Sequence, residues 1–138
     1  MNPSAPDLPD PLRPDDLRRL ARPAAPRGPC AGCAALVCPG WESLPGSFDT
    51  AQLQRLASLR VAADEEPSLR EYHPAGSHGW SADAPIAPGW FPYNRCEVWG
   101  CRGCGRAFLR YTEYGGYYVD ERIRELRAEL VVDVAPPD

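Results

Sequence analysis

Cys101-Arg102-Gly103-Cys104-Gly105 is the second of two C-x-x-C pairs in a chain of 138 residues; the first is Cys30-Ala31-Gly32-Cys33. Each short loop presents two sulfurs, and two such loops supply the four thiolates that tetrahedral zinc takes in closed structural sites. Gly105 after the second pair and Gly32 inside the first ease the tight turns that aim backbone N–H groups at sulfur, whereas Ala34 follows the first pair where a glycine would serve better. The candidate metal ligands are Cys30, Cys33, Cys101 and Cys104. The expected cofactor is one structural Zn²⁺, with iron in a four-thiolate site as the geometric alternative. Four thiolates around one divalent ion leave a net charge of about −2, for which Arg102 and Arg106 are the nearest cations in sequence.

Outward from this knuckle the pattern reads as strand, turn, strand. Residues 93–100 carry β-type side chains into Cys101, and residues 107–114 lead out again. Gly115-Gly116 signals a hairpin, so that residues 117–119 pair back. Alternation along 107–114 is poor, as expected if both faces of that strand are covered or if the strand is bent. Upstream, Asp49 and Gln52 have the spacing of a capping box, and Leu53, Leu56 and Leu59 recur at helical intervals, which predicts a helix over 49–60. Asp120 is a cap candidate for a second helix, with Ile123, Leu126 and Leu130 on its apolar side and Arg122, Glu125 and Glu129 outward. Residues 131–134 read as a short edge strand. Residues 68–92 carry no period and read as a long irregular segment.

The strand, C-x-x-C-G, strand arrangement of residues 96–111 resembles the zinc ribbon. That resemblance implies an antiparallel β unit closed by zinc, with the 67 residues between Cys33 and Cys101 as an insertion between its halves. The stretches 38–45 and 109–118 also look like segments of uncharacterised small bacterial proteins, a likeness that implies no activity.

Eight of the seventeen prolines precede Cys30. Proline removes donors and disfavours helix at the residue before it, so residues 1–29 read as a disordered tail, with one short helix candidate at 15–22. Residues 30–134 are then a single domain, small enough for a metal staple to matter. No apolar run approaches a membrane span, and no secretory leader is legible, which points to the cytoplasm and to cysteines kept as thiols or ligands. The formal net charge of −4 opposes general binding to nucleic acid, and all fifteen basic residues are arginine.

Cys38 and Cys96 are left over, five residues outside each pair. With His73 and His78 they are candidates for a second metal site or a thiol pair, and either histidine, near Glu71 and Asp83, is a candidate acid or base in an enzyme. Arg102, Arg106, Arg110 and Tyr111, among many aromatic residues, are candidates for contact with a partner or with nucleic acid. No nucleophile elbow, P-loop, zincin or dinucleotide motif is present. The fold expected is a small α+β unit: a zinc-ribbon-like antiparallel sheet with one inserted and one C-terminal helix behind a proline-rich N-terminus. The expected role is that of a non-catalytic adaptor or accessory factor binding a protein partner. A nucleic-acid-binding ribbon and an enzyme with a histidine loop are the readings beside it.

Overall fold

The structure, a computed structural model, describes residues 12–21, 30–60 and 67–137. Five strands form its centre: β1 (Glu42–Ser43), β2 (Leu53–Ser58), β3 (Glu97–Cys101), β4 (Ala107–Tyr114) and β5 (Val119–Glu125). They make one antiparallel sheet in the order β1-β5-β4-β3-β2. The second C-x-x-C loop is the turn between β3 and β4, with Gly100 facing Ala107 and Glu97 facing Arg110. The loop of 115–118 joins β4 to β5, closed by Gly115 N–H to the Tyr118 carbonyl at 2.9 Å. Neither Gly115 nor Gly116 takes a positive φ. At Gly115 the exposed Tyr118 ring lies where a Cβ would be.

Side chains alternate between the two faces of a strand, so each face builds its own cluster. Val98, Ala107 and Leu109 go to the larger one, with Cys96, Trp41, Ile86 and Leu126. Phe108 and Cys101 go to the smaller one, with Cys33, Leu36, Leu53 and Ile123. Both faces of β4 are therefore covered at its start, and Ala107, Phe108 and Leu109 are consecutively buried. Burying Phe108 and Leu109 contributes about 2 kcal/mol each.

The helix expected over 49–60 is not there. Asp49 does cap a turn, its carboxylate accepting from Ala51 N–H at 3.0 Å, but the turn is a single 3₁₀ loop at Thr50–Gln52 and the chain then extends as β2. A bulge between Arg55 and Ala57 explains the misleading spacing. Leu53 packs into the smaller cluster before the bulge, whereas Ala57 and Leu59 pack into the larger one after it. Two-residue alternation broken once looks like a helical stripe.

The second expected helix is also a strand. Asp120 to Glu125 lie in β5 and Ala128–Leu130 make a single 3₁₀ turn; Ile123 is on the smaller cluster and Leu126 on the larger, so their three-residue interval spans two faces rather than one helical side. Arg124, between them, is buried: its guanidinium donates to Tyr93 Oη at 2.5 Å and to the carbonyls of Ala84 at 2.9 Å and Ala82 at 3.2 Å. It thereby pins the irregular segment 68–92 to the sheet. The edge strand expected at 131–134 reduces to one parallel bridge, Val131 to Ile86.

The helix α1 (Pro14–Ala21) forms at the short candidate read at 15–22, and it packs on the rest of the protein. Asp16 accepts from Arg13 N–H at 2.9 Å, Leu17 is fully buried in the larger cluster, and Arg18 donates to the Val131 carbonyl at 2.9 Å. The rest of that segment, 1–11 and 22–29, lies outside the described residues. Among the described residues no helix is long and apolar enough to cross a membrane.

Candidate metal centre

The first C-x-x-C loop turns back on itself through Cys33 and Ala34 N–H groups bonded to the Cys30 carbonyl at 3.1 and 3.0 Å, and runs into a 3₁₀ turn at Ala34–Leu36. Leu36, fully buried, anchors that turn on the sheet. The second loop is set by β3 and β4: Cys101 N–H bonds the Arg106 carbonyl and Gly105 N–H bonds the Cys101 carbonyl, both at 2.8 Å. Gly105 holds φ at +81°, a left-handed conformation that other residues adopt at a cost.

These two loops bring all four sulfurs within 4.8 Å of one another. Cys30 Sγ is 3.5 Å from Cys101 Sγ and 3.8 Å from Cys33 Sγ, and Cys33 Sγ is 3.7 Å from Cys104 Sγ. A tetrahedron with Zn–S bonds of about 2.3 Å has edges of about 3.8 Å, so the donor set fits the ion in number, chemistry and spacing. All six cysteines are free thiols. Cys33 and Cys101 are buried and Cys30 and Cys104 partly so, which leaves little room for water around the cluster.

The thiols are not equivalent. Burial, followed by the neighbouring Cys104 sulfur, pushes Cys33 far up. Burial also acts to raise Cys101, but the Gln52 amide and the N–H groups of Cys104 and Gly103 outweigh it and hold this thiol at about 6. Cys104 is likewise lowered against the cost of burial, chiefly by Arg106 N–H. Gln52 is the residue that sequence reasoning missed. Its Nε2 lies 3.4 Å from Cys101 Sγ, and the same amide packs where a Cβ on Gly32 would be. Its position three residues after Asp49 signalled a helix cap, and nothing in the sequence tied it to sulfur.

The expected cations have other partners. Arg102 donates to the Ala51 carbonyl at 3.0 Å, and the buried Arg106 pairs with Glu125. Arg110 lies over the Trp99 ring at 5.0 Å and beside Glu121 at 3.5 Å, and Tyr111 packs against Trp41 and Phe91.

Among the described residues no second group of three or more Cys, His, Asp or Glu side chains gathers at ligand distance, so Cys38, Cys96, His73 and His78 form no such group. Cys96 is completely buried, with Sγ 3.3 Å from the Pro92 carbonyl, and burial pushes its thiol well up. Cys38 is raised to about 11 by burial and then by Glu42. His73 bridges Glu71 (2.9 Å) and Ser77 (2.7 Å) across the loop, and His78 Nδ1 accepts from Trp80 N–H at 3.3 Å. His73 is half-buried and His78 exposed.

Comparisons with family models, with characterised proteins and with solved structures find no match to this chain.

Proposed function

We propose that Cys30, Cys33, Cys101 and Cys104 hold one zinc ion in a closed structural site, and that the protein is a non-catalytic accessory factor acting through a protein partner. The observation that carries the metal reading is the convergence of four sulfurs, from loops 67 residues apart, on the edge lengths of a zinc tetrahedron. Four protein ligands leave no position for water or substrate, so the ion would supply cross-linking rather than Lewis-acid chemistry. The zinc-ribbon resemblance is supported at the level of this site. Around it the protein carries a five-stranded sheet.

The partner reading is supported by the β4–β5 tip, where Tyr114, Tyr117, Tyr118 and Val119 are all exposed. Exposed aromatic side chains are the residues that protein interfaces enrich. The arginines that a nucleic-acid reading would use are tied to carboxylates, carbonyls or rings.

Elemental analysis of the purified, reduced chain tests the metal directly. One zinc per chain is expected, with loss of at least most of it in Cys101→Ser. Iron in its place, or a metal-free chain of unchanged stability, would overturn the assignment.

A further inference from the structure

At the end of the sheet away from the four sulfurs lies a pocket of about 280 Å³. Its inner walls are aromatic. Trp41 stands edge-on to Tyr111, with centroids 5.0 Å apart and planes at 86°, and Phe91 meets Tyr111 at 6.2 Å and 78°. Trp80 and Tyr118, both exposed, form the outer side.

The charges in this lining are two carboxylates, Glu71 and Glu113, against one guanidinium, Arg122. Arg122 is already provided for: it lies 4.3 Å from the centre of the Trp80 ring and 2.7 Å from Asp120. One cation is thus at home on an aromatic face here, and the lining holds two carboxylates for that one guanidinium. Glu71 also bonds His73 Nε2, and Gly79 clears its approach, since a Cβ there would stand 3.0 Å from Glu71 Oε1.

Ring faces attract cations through their quadrupole, and carboxylates add to that field in a partly desolvated pocket. A primary ammonium is compact and strongly hydrated, so it would enter a pocket walled by rings at a high desolvation cost. A fully alkylated ammonium has no donors to satisfy and is weakly hydrated, so it leaves water at less cost. We propose that this pocket binds a quaternary ammonium group.

The test is an NMR titration of the metal-loaded, ¹⁵N-labelled full chain with tetramethylammonium chloride, set against equal sodium chloride and against neopentyl alcohol, an uncharged group of similar size. Saturable shifts of the Trp41 and Trp80 indole N–H signals are expected, with a dissociation constant on the order of 1 mM. Glu113→Gln and the exposed-site Trp80→Leu should each weaken binding roughly fivefold to tenfold, read at Trp41, with melting temperature unchanged. Shifts that never saturate, or neopentyl alcohol binding as well as the cation, would overturn the proposal. Choline and Nα-acetyl-trimethyllysine amide carry the same head on a free molecule and on a protein side chain, and the tighter of the two identifies its source.

Discussion

Cys101 shows how little of a metal site is decided by its ligands alone. Its thiol is held at about 6 by the Gln52 amide and two backbone N–H groups working against burial, while Cys33, equally a ligand candidate, is pushed far up by burial. In the metal-free chain the two have opposite signs in pH. Cys101, lowered from 9.0, contributes stability that is complete above about pH 9 and lost as pH falls through about 6. Cys33, raised above 9.0, contributes stability that is complete below that value and lost only in strong alkali. At pH 7, the proposed zinc would therefore displace a proton from Cys33 but find Cys101 already ionised. Loading in weak buffer with a pH indicator should release fewer than four protons per ion, and release of all four would show that Cys101 is not lowered. Replacing Gln52 by Leu removes a donor at 3.4 Å from that sulfur. The change should raise the Cys101 thiol, read from its thiolate absorbance, and weaken zinc roughly tenfold in competition with a chromogenic chelator. An unchanged affinity would mean that the amide only fills space beside Gly32.

At the scale of elements, the N-terminal helix offers the sharpest test of where the domain begins. Leu17 is fully buried among Leu12, Ala21 and the larger cluster, and Arg18 reaches the Val131 carbonyl. Leu17→Ala should cost about 3 kcal/mol in denaturant unfolding, as for other buried leucines. A tail that never docks would lose no more than about 0.5 kcal/mol. The knuckle and the hairpin were readable from sequence because their signals are local: glycine after the second C-x-x-C, and two glycines between β-type runs. β2 and β5 were not, because they switch between two buried faces. Leu53 and Leu59 serve opposite clusters across a bulge, and Ile123 and Leu126 do the same across Arg124, so the apolar intervals imitate one side of a helix. The partners of Gln52 and Arg124 were equally hidden, since both act on segments more than 30 residues away.

Over the whole molecule the two clusters are unequal, and that inequality predicts how the protein would respond to losing the proposed ion. The larger one joins α1, the irregular segment, the C-terminal residues and one sheet face, and contains none of the four candidate ligands. The smaller one includes Cys33 and Cys101 themselves, and only Leu36, Leu53, Phe108 and Ile123 complete its buried set. Removing the proposed zinc would take away the cross-link between residues 30–38 and the β3–β4 turn and leave thiols of opposed ionisation in one place. The sheet itself keeps the long β4–β5 ladder from Phe108–Glu125 to Tyr114–Val119. Opening should therefore be local rather than global. After chelation under reducing conditions, hydrogen exchange should accelerate on the order of 100-fold at the amides of Leu36, Gln52 and Arg102, whose bonds lie around the sulfurs. Amides of the β4–β5 ladder and Leu59, bonded to the Cys96 carbonyl at 2.9 Å on the other face, should keep most of their protection. Equal acceleration everywhere would mean that the ion holds the entire domain closed, and no acceleration near Leu36 would mean that the four sulfurs gather without needing one.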